Sequence, residues 1–124
     1  MDGKDELIGR IIGGAIEVHR RLGPGLLESA YRRCLAHELS LRGISFEMEK
    51  EVPVEYKGPQ LDCAYRIDLL VEDRVILELK TVDTIPGVHK AQLLTYMKLT
   101  GMTSGLLINL HVELLKDGIQ RFKL

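Results

Sequence analysis

Tyr65-Arg66-Ile67-Asp68-Leu69-Leu70-Val71-Glu72-Asp73-Arg74-Val75-Ile76-Leu77-Glu78-Leu79-Lys80 holds two runs rich in β-branched and aliphatic residues, separated by Glu72-Asp73-Arg74. That pattern predicts an antiparallel hairpin. Side chains alternate along a strand, so Glu78 and Lys80 share a face with Ile76, while Leu77 and Leu79 point the other way. The loop length sets the register. A two-residue loop would pair Val71 with Arg74 and put Asp68 and Glu78 on opposite faces. A three-residue loop pairs Val71 with Val75, setting Asp68 opposite Glu78 and Arg66 opposite Lys80. The Cβ atoms of the two acids would then stand roughly 4.5–5.5 Å apart. At about 5 Å and an effective dielectric near 20, their repulsion is on the order of 3 kcal/mol. A cation between them, a shared proton, or water screening on an open face would relieve it. Leu70 and Ile76 on the same face argue for partial burial. A divalent cation held by carboxylate oxygens and water fits this chemistry without further assumptions. Cross-strand acids on a wet face are the ordinary alternative, and spacing alone leaves the two readings even.

Upstream of the hairpin, Phe46, Met48, Val52, Val54 and Tyr56 alternate with Glu47, Glu49, Glu51 and Glu55, the pattern of a strand with one wet face. Pro53 places that strand at a sheet edge, and Lys57-Gly58-Pro59 turns the chain toward Asp68. Leu7, Ile8, Ile11, Ile12, Ala15, Ile16, His19 and Leu22 recur at helical spacing and predict a helix from about Asp5 to Leu22. Gly23-Pro24-Gly25 breaks it. A second helix is expected from about Leu26 to Arg42, with Leu27, Ala30, Tyr31, Cys34, Leu35 and Glu38 along one stripe and Gly43 as its stop. Downstream, Pro86 suits the first turn of a helix running to about Thr100, where Gly101 ends it. Gly105-Leu106-Leu107-Ile108-Asn109-Leu110 reads as a buried strand, and Lys116-Asp117-Gly118 turns the chain into a last run ending at Leu124. The order is α-α-β-β-β-α-β-β, a mixed sheet with helices packed on it. The Leu107 strand should run parallel to the Glu78 strand, since a helix connects them.

The chain has 124 residues, enough for one domain spanning residues 1–124 and too few for two. Hydrophobic residues make up 45% and charged residues 28%, a balance typical of soluble globular proteins. No apolar run approaches the roughly 20 residues needed to cross a bilayer. The start, Met1-Asp2-Gly3-Lys4-Asp5-Glu6, lacks a secretory signal's basic opening and long apolar stretch. Cys34 and Cys63 show no metal-type spacing, so reduced thiols in the cytoplasm are expected, and the four histidines form no zinc signature. A net charge of −1 argues against tight nonspecific grip on a phosphate backbone. Local basic candidates are Arg20, Arg21, Arg32, Arg33, Lys57, Arg66, Lys90 and Lys98.

A helix, a three-strand meander carrying D…E-x-K, a helix and a further strand together resemble the PD-(D/E)XK nuclease superfamily. More narrowly, Gly25-Leu26-Leu27-Glu28-Ser29-Ala30-Tyr31, preceded by Glu17-Val18-His19-Arg20-Arg21-Leu22-Gly23-Pro24, resembles the small prokaryotic GxxExxY family within it. The similarity runs from about Ile11 to Leu124. It implies an α/β fold (an α+β mixed sheet): a restriction-endonuclease-like α-β-β-β-α-β core with an extra N-terminal helix and a C-terminal strand. It also implies a metal site in which Glu28, on the helix before the sheet, joins Asp68, Glu78 and the backbone carbonyl of Leu79. Lys80 matches the motif lysine, and Gln92-Leu93-Leu94-Thr95-Tyr96 matches a Q-x-x-x-Y found in one branch, with both side chains on one helix face. The proline of the superfamily's name has no counterpart, since Ile67 precedes Asp68.

Plainer roles stand beside these. Glu28 lies in a first helical turn, where the dipole favours negative charge, and could pair with Arg32 at i+4. Lys80 could guard a strand edge, and Gln92 and Tyr96 could be interhelical packing. His19, on an apolar stripe, is expected as a hydrogen-bonded core histidine, and Glu17 as a solvated residue. As a set, the residues point to a Mg2+-dependent phosphodiesterase, with Mn2+ able to substitute, acting on DNA or RNA. The catalytic set would be Asp68, Glu78, Lys80, Gln92 and Tyr96. The rival is a noncatalytic nucleic-acid-binding or scaffold module, and a third reading is a hydrolase of small phosphorylated molecules. A homodimer is expected, because so small a module offers little surface for gripping a duplex.

Overall fold

The computed structural model describes residues 3–124, apart from the side chains of Lys4, Asp5 and Cys63. The expectations for Met1, Asp2 and the Cys63 thiol fall outside the described residues; Cys34 is a free cysteine. The elements are α1 (Gly3–Leu22), α2 (Glu28–Leu41), β1 (Phe46–Glu55), β2 (Gln60–Val71), β3 (Val75–Lys80), α3 (Gly87–Thr100), β4 (Ser104–Asn109) and β5 (Ile119–Lys123). A short 3-10 turn, Leu115–Gly118, precedes β5. The mixed α+β arrangement and the α-β-β-β-α-β core flanked by α1 and β5 are as expected.

The strands form one sheet in the order β1-β2-β3-β4-β5. Neighbours run antiparallel except β3 and β4, which α3 joins as a crossover and which run parallel. Pro53 does lie in an edge strand, where its missing N–H leaves no ladder bond unmade. Ile11, Ala15, Tyr31, Leu35 and Leu39 of α1 and α2 cover one face, against Leu69, Leu77, Leu79, Leu106 and Ile108. Leu93, Tyr96 and Met97 of α3 cover the other, against Ile67, Leu70, Ile76 and Leu107. β3 and β4 are therefore buried on both sides. Each buried Leu or Ile contributes about 1.5–3 kcal/mol, so these two layers carry most of the stability. The close approach of α3 to β4 needs Gly105, whose added Cβ would meet the Met97 sulfur at 2.9 Å.

Strict alternation along β1 does not hold. Phe46 packs against the α1–α2 layer, yet Val52 belongs to the α3 layer. Between them Glu49 has a φ of 53°, a left-handed conformation that interrupts the pleat. β2 turns over at the same level: Ile67 faces α3 and Leu69 faces α1 and α2, although they are two residues apart. Met48 pairs with Leu69 and Lys50 with Ile67, so Glu49 and Asp68 stand side by side at this reversal. Arg66 forms no ladder pair with Lys80, because the β2–β3 pairing ends at Leu69 and Leu77. It pairs with Glu51 in the β1–β2 ladder, and its guanidinium reaches Glu51 at 3.7 Å and Glu49 at 4.0 Å.

Candidate active site

The hairpin takes the three-residue loop: Val71 pairs with Val75, and Glu72 and Asp73 adopt φ values of 53° and 54° that close it. The β2–β3 ladder runs from there to Leu69 and Leu77. At the next level the two acids take the place of backbone partners. The Asp68 amide donates to Glu78 Oε1 at 3.2 Å, and the Leu79 amide donates to Asp68 Oδ2 at 2.8 Å. The strands are thus held apart by carboxyl groups, which brings the Leu79 backbone to the site through its N–H.

Glu78 is only 4% exposed, and the Asp68 side chain 13%. Water screening on an open face is thereby ruled out as the answer to their repulsion. Burial, then the Asp68 charge and a hydrogen bond between the two carboxyls, pushes Glu78 up to about 8, although the Asp68 amide and the Lys80 ammonium pull the other way. Glu78 therefore holds a proton near neutrality when no cation offsets its charge. The Arg32 guanidinium contributes a second counter-charge, 3.5 Å from Asp68 and 2.7 Å from Glu49.

Glu28 opens α2. Its position is set by Tyr31, whose ring is fully buried and whose hydroxyl donates to the Gly23 carbonyl and accepts from the Leu26 amide at 3.2 Å. One phenol thus ties down the Gly23-Pro24-Gly25 turn from which α2 starts. Burial, then the Asp68 charge, raises the Glu28 carboxyl, while Lys80 and Arg32 lower it. Arg32 places its ion pairs on Glu49 and Asp68, across the sheet, and its Nε is buried without a partner among the described residues.

Lys80 ends β3, an interior strand, so it guards no edge. Its charge acts on Glu28, Glu78 and His89. Beside it in the parallel register is Asn109, whose amide bonds the Val82 N–H at 3.2 Å and the Val82 carbonyl at 2.7 Å. That clamp holds the chain where it leaves Lys80. On α3, Tyr96 is buried in the core and also lies in the field of both acids. Burial, then Glu78 and Asp68, pushes its hydroxyl up to about 12 despite a hydrogen bond with Gln92. Tyr96 is therefore core packing that lies within the field of the two acids.

Glu28, Asp68, Glu78, Lys80, Gln92 and Tyr96 are thus linked by contact or by charge. Among the described residues, no three His, Cys, Asp or Glu side chains already stand as a metal-binding group. The donor chemistry nevertheless suits a hard divalent cation: the Asp68 charge and burial raise the proton affinity of Glu78 and Glu28, and the Lys80 ammonium and the Arg32 guanidinium are the resident side-chain cations. A roomier hollow of about 590 Å3 lies between α1 and α2, bordered by Val18, Leu22, Cys34 and Leu41, and contains none of these acids. Sequence reasoning missed Arg32 as the partner of both Asp68 and Glu49, and His89 in the field of Lys80. Only His89 had a legible signal, since His89, Gln92 and Tyr96 share one helix face.

The family model for the PD-(D/E)XK nuclease superfamily matches residues 5–122. The chain belongs to that superfamily. Neither the curated proteins nor the solved structures gave a match. Membership points to nuclease-type phosphodiester chemistry on a nucleic acid. Among the described residues no helix is long and apolar enough to cross a membrane.

Proposed function

We propose that the protein is a divalent-cation-dependent nuclease of DNA or RNA and that, within the superfamily, it belongs to the GxxExxY group. One observation carries the reading: Asp68 and Glu78 are buried against each other at the point where β2 and β3 part, beside Lys80. Such a pair costs stability unless positive charge enters, and Mg2+, or Mn2+ in its place, is the charge proposed. Asp68, Glu78, Glu28 and the Leu79 carbonyl would hold it. The cation would activate water and neutralise charge on the phosphate. Glu78 would have to release its proton to bind a cation there. Lys80, a point charge on a flexible stem, positions the attacking water, helps remove its proton, or steadies the charged phosphorane. Tyr96 stays protonated at any ordinary pH and so donates a hydrogen bond to a phosphate oxygen or the attacking water, oriented by Gln92. The GxxExxY assignment is supported by two of its motif residues: the carboxylate at Glu28, which opens α2, and the clamp at Tyr31.

The test is cleavage of single- and double-stranded DNA and RNA with Mg2+ or Mn2+ by wild type, Asp68→Ala and Lys80→Ala. Both variants should lose at least a hundredfold in rate; undiminished activity in both defeats the reading. The ion pairs of Arg32 with Asp68 and Glu49 favour a second reading, a noncatalytic module whose site is closed by its own cation. That reading expects no phosphodiester to be cut, whether or not Mn2+ changes the melting temperature.

A further inference from the structure

A cavity of about 280 Å3, lined by Tyr65, Val88, Ala91, Gln92 and Thr95, opens beside the catalytic cluster. Gln92 lies one helical turn before Tyr96 on α3, and Tyr96 stands in the field of both acids. The Tyr65 ring is braced on Tyr96, with centroids 5.3 Å apart and planes tilted by 57°, yet Tyr65 remains 38% exposed. Val88 is 68% exposed. The Thr95 hydroxyl already bonds the Ala91 carbonyl at 3.0 Å, which leaves the Gln92 amide and the Tyr65 hydroxyl as polar groups of the wall. No charged side chain lines this space, so its chemistry does not suit a phosphate. A braced aromatic face, aliphatic walls and one amide suit a nucleobase, which stacks through its π-face and bonds along its edge.

Charge points the same way. A duplex keeps its bases inside and is gripped through two phosphate backbones, which calls for a broad basic surface. This chain carries a net charge of −1, and Arg66, the cation next to Tyr65 in β2, already faces Glu49 and Glu51. We infer that the substrate is unpaired nucleic acid, and that one base beside the cleaved phosphodiester enters this cavity against Tyr65. The inference rests on the nuclease reading above and adds its substrate class.

The experiment uses end-labelled single-stranded oligonucleotides in which one abasic nucleotide is moved along the strand, together with the blunt duplex of the same sequence. Wild type is compared with Ala91→Leu, which fills the cavity, and Val88→Asp, which charges its mouth; both changes are at exposed positions. Wild type should cut the intact strand at least tenfold faster than the duplex, and at least tenfold faster than the strand abasic at one position next to the cut. Both variants should cut intact and abasic strands at the same reduced rate. Equal wild-type rates at every abasic position, or full discrimination retained in both variants, overturns the inference and leaves the nuclease reading intact. If wild type cuts nothing with either metal, the nuclease reading falls. Fluorescence anisotropy then judges the cavity alone, and equal affinity for intact and abasic strands defeats it.

Discussion

At Glu78 the folded protein works against ionisation. Its carboxyl rises from 4.5 to about 8 because it is buried and faces Asp68. The cation-free fold therefore favours the protonated acid. The stabilisation is fully present below about 4.5, and is lost as pH rises through about 8. In the presence of a chelator, the melting temperature of wild type should fall between pH 5 and pH 8, and that of Glu78→Gln should stay flatter over the same range. A melting temperature that climbs with pH in wild type would contradict the burial argument. Mn2+ added near pH 7 should release protons, readable by titration in two buffers of different ionisation enthalpy. His19 shows how far a single residue is legible. Its place on an apolar stripe marked it as a core histidine, and it is buried with Nε2 2.8 Å from the Val112 carbonyl. That partner, 93 residues away, left no local trace.

At the scale of elements, helix α2 is held by its entry rather than by a side-chain cap, which it lacks. Tyr31→Phe keeps the buried ring and removes only the hydroxyl that bridges Gly23 and Leu26. It should cost about 1 kcal/mol in urea unfolding, because the two loop groups can still reach water. If Glu28 is a ligand, the same change weakens Mn2+ binding. Two glycines offer a graded comparison. A Cβ at Gly105 would press on the Met97 and Leu93 side chains, which can yield, so Gly105→Ala should cost about 1–3 kcal/mol. A Cβ at Gly118 would fall 2.1 Å from the Asn109 backbone oxygen, which cannot yield without moving the clamp beside Lys80. Gly118→Ala should be the more damaging of the two in the same urea series. Helix and strand positions were readable from period and punctuation, Gly101 included, which ends α3 at a φ of 74°. The reversal of facing at Glu49 was not, because a glutamate in a left-handed conformation carries no mark in the sequence.

At the scale of the whole molecule, near-neutral charge limits what electrostatics can contribute. Binding of single-stranded oligonucleotides should lose affinity slowly with salt, with a slope of log K against log salt smaller in magnitude than about 3. A slope near 8 would reveal a broad phosphate-gripping surface and contradict the stacking model. Much of the molecule was present in local pattern alone: the element order, the edge strand at Pro53, the parallel crossover through α3 and the pairing of Val71 with Val75. These depend on hydrophobic period, turn residues and loop length, all of which act over a few residues. Which charges meet was decided only by the folded sheet. Loop length offered Asp68 opposite Glu78 as one of two registers, while Arg32 could have met Glu28. Splaying of β2 from β3, and the joint turnover of β1 and β2, instead placed Arg32 between Glu49 and Asp68 and buried Glu78 beside them. Electrostatic energy depends on distance and burial, and both exist only once distant segments have packed.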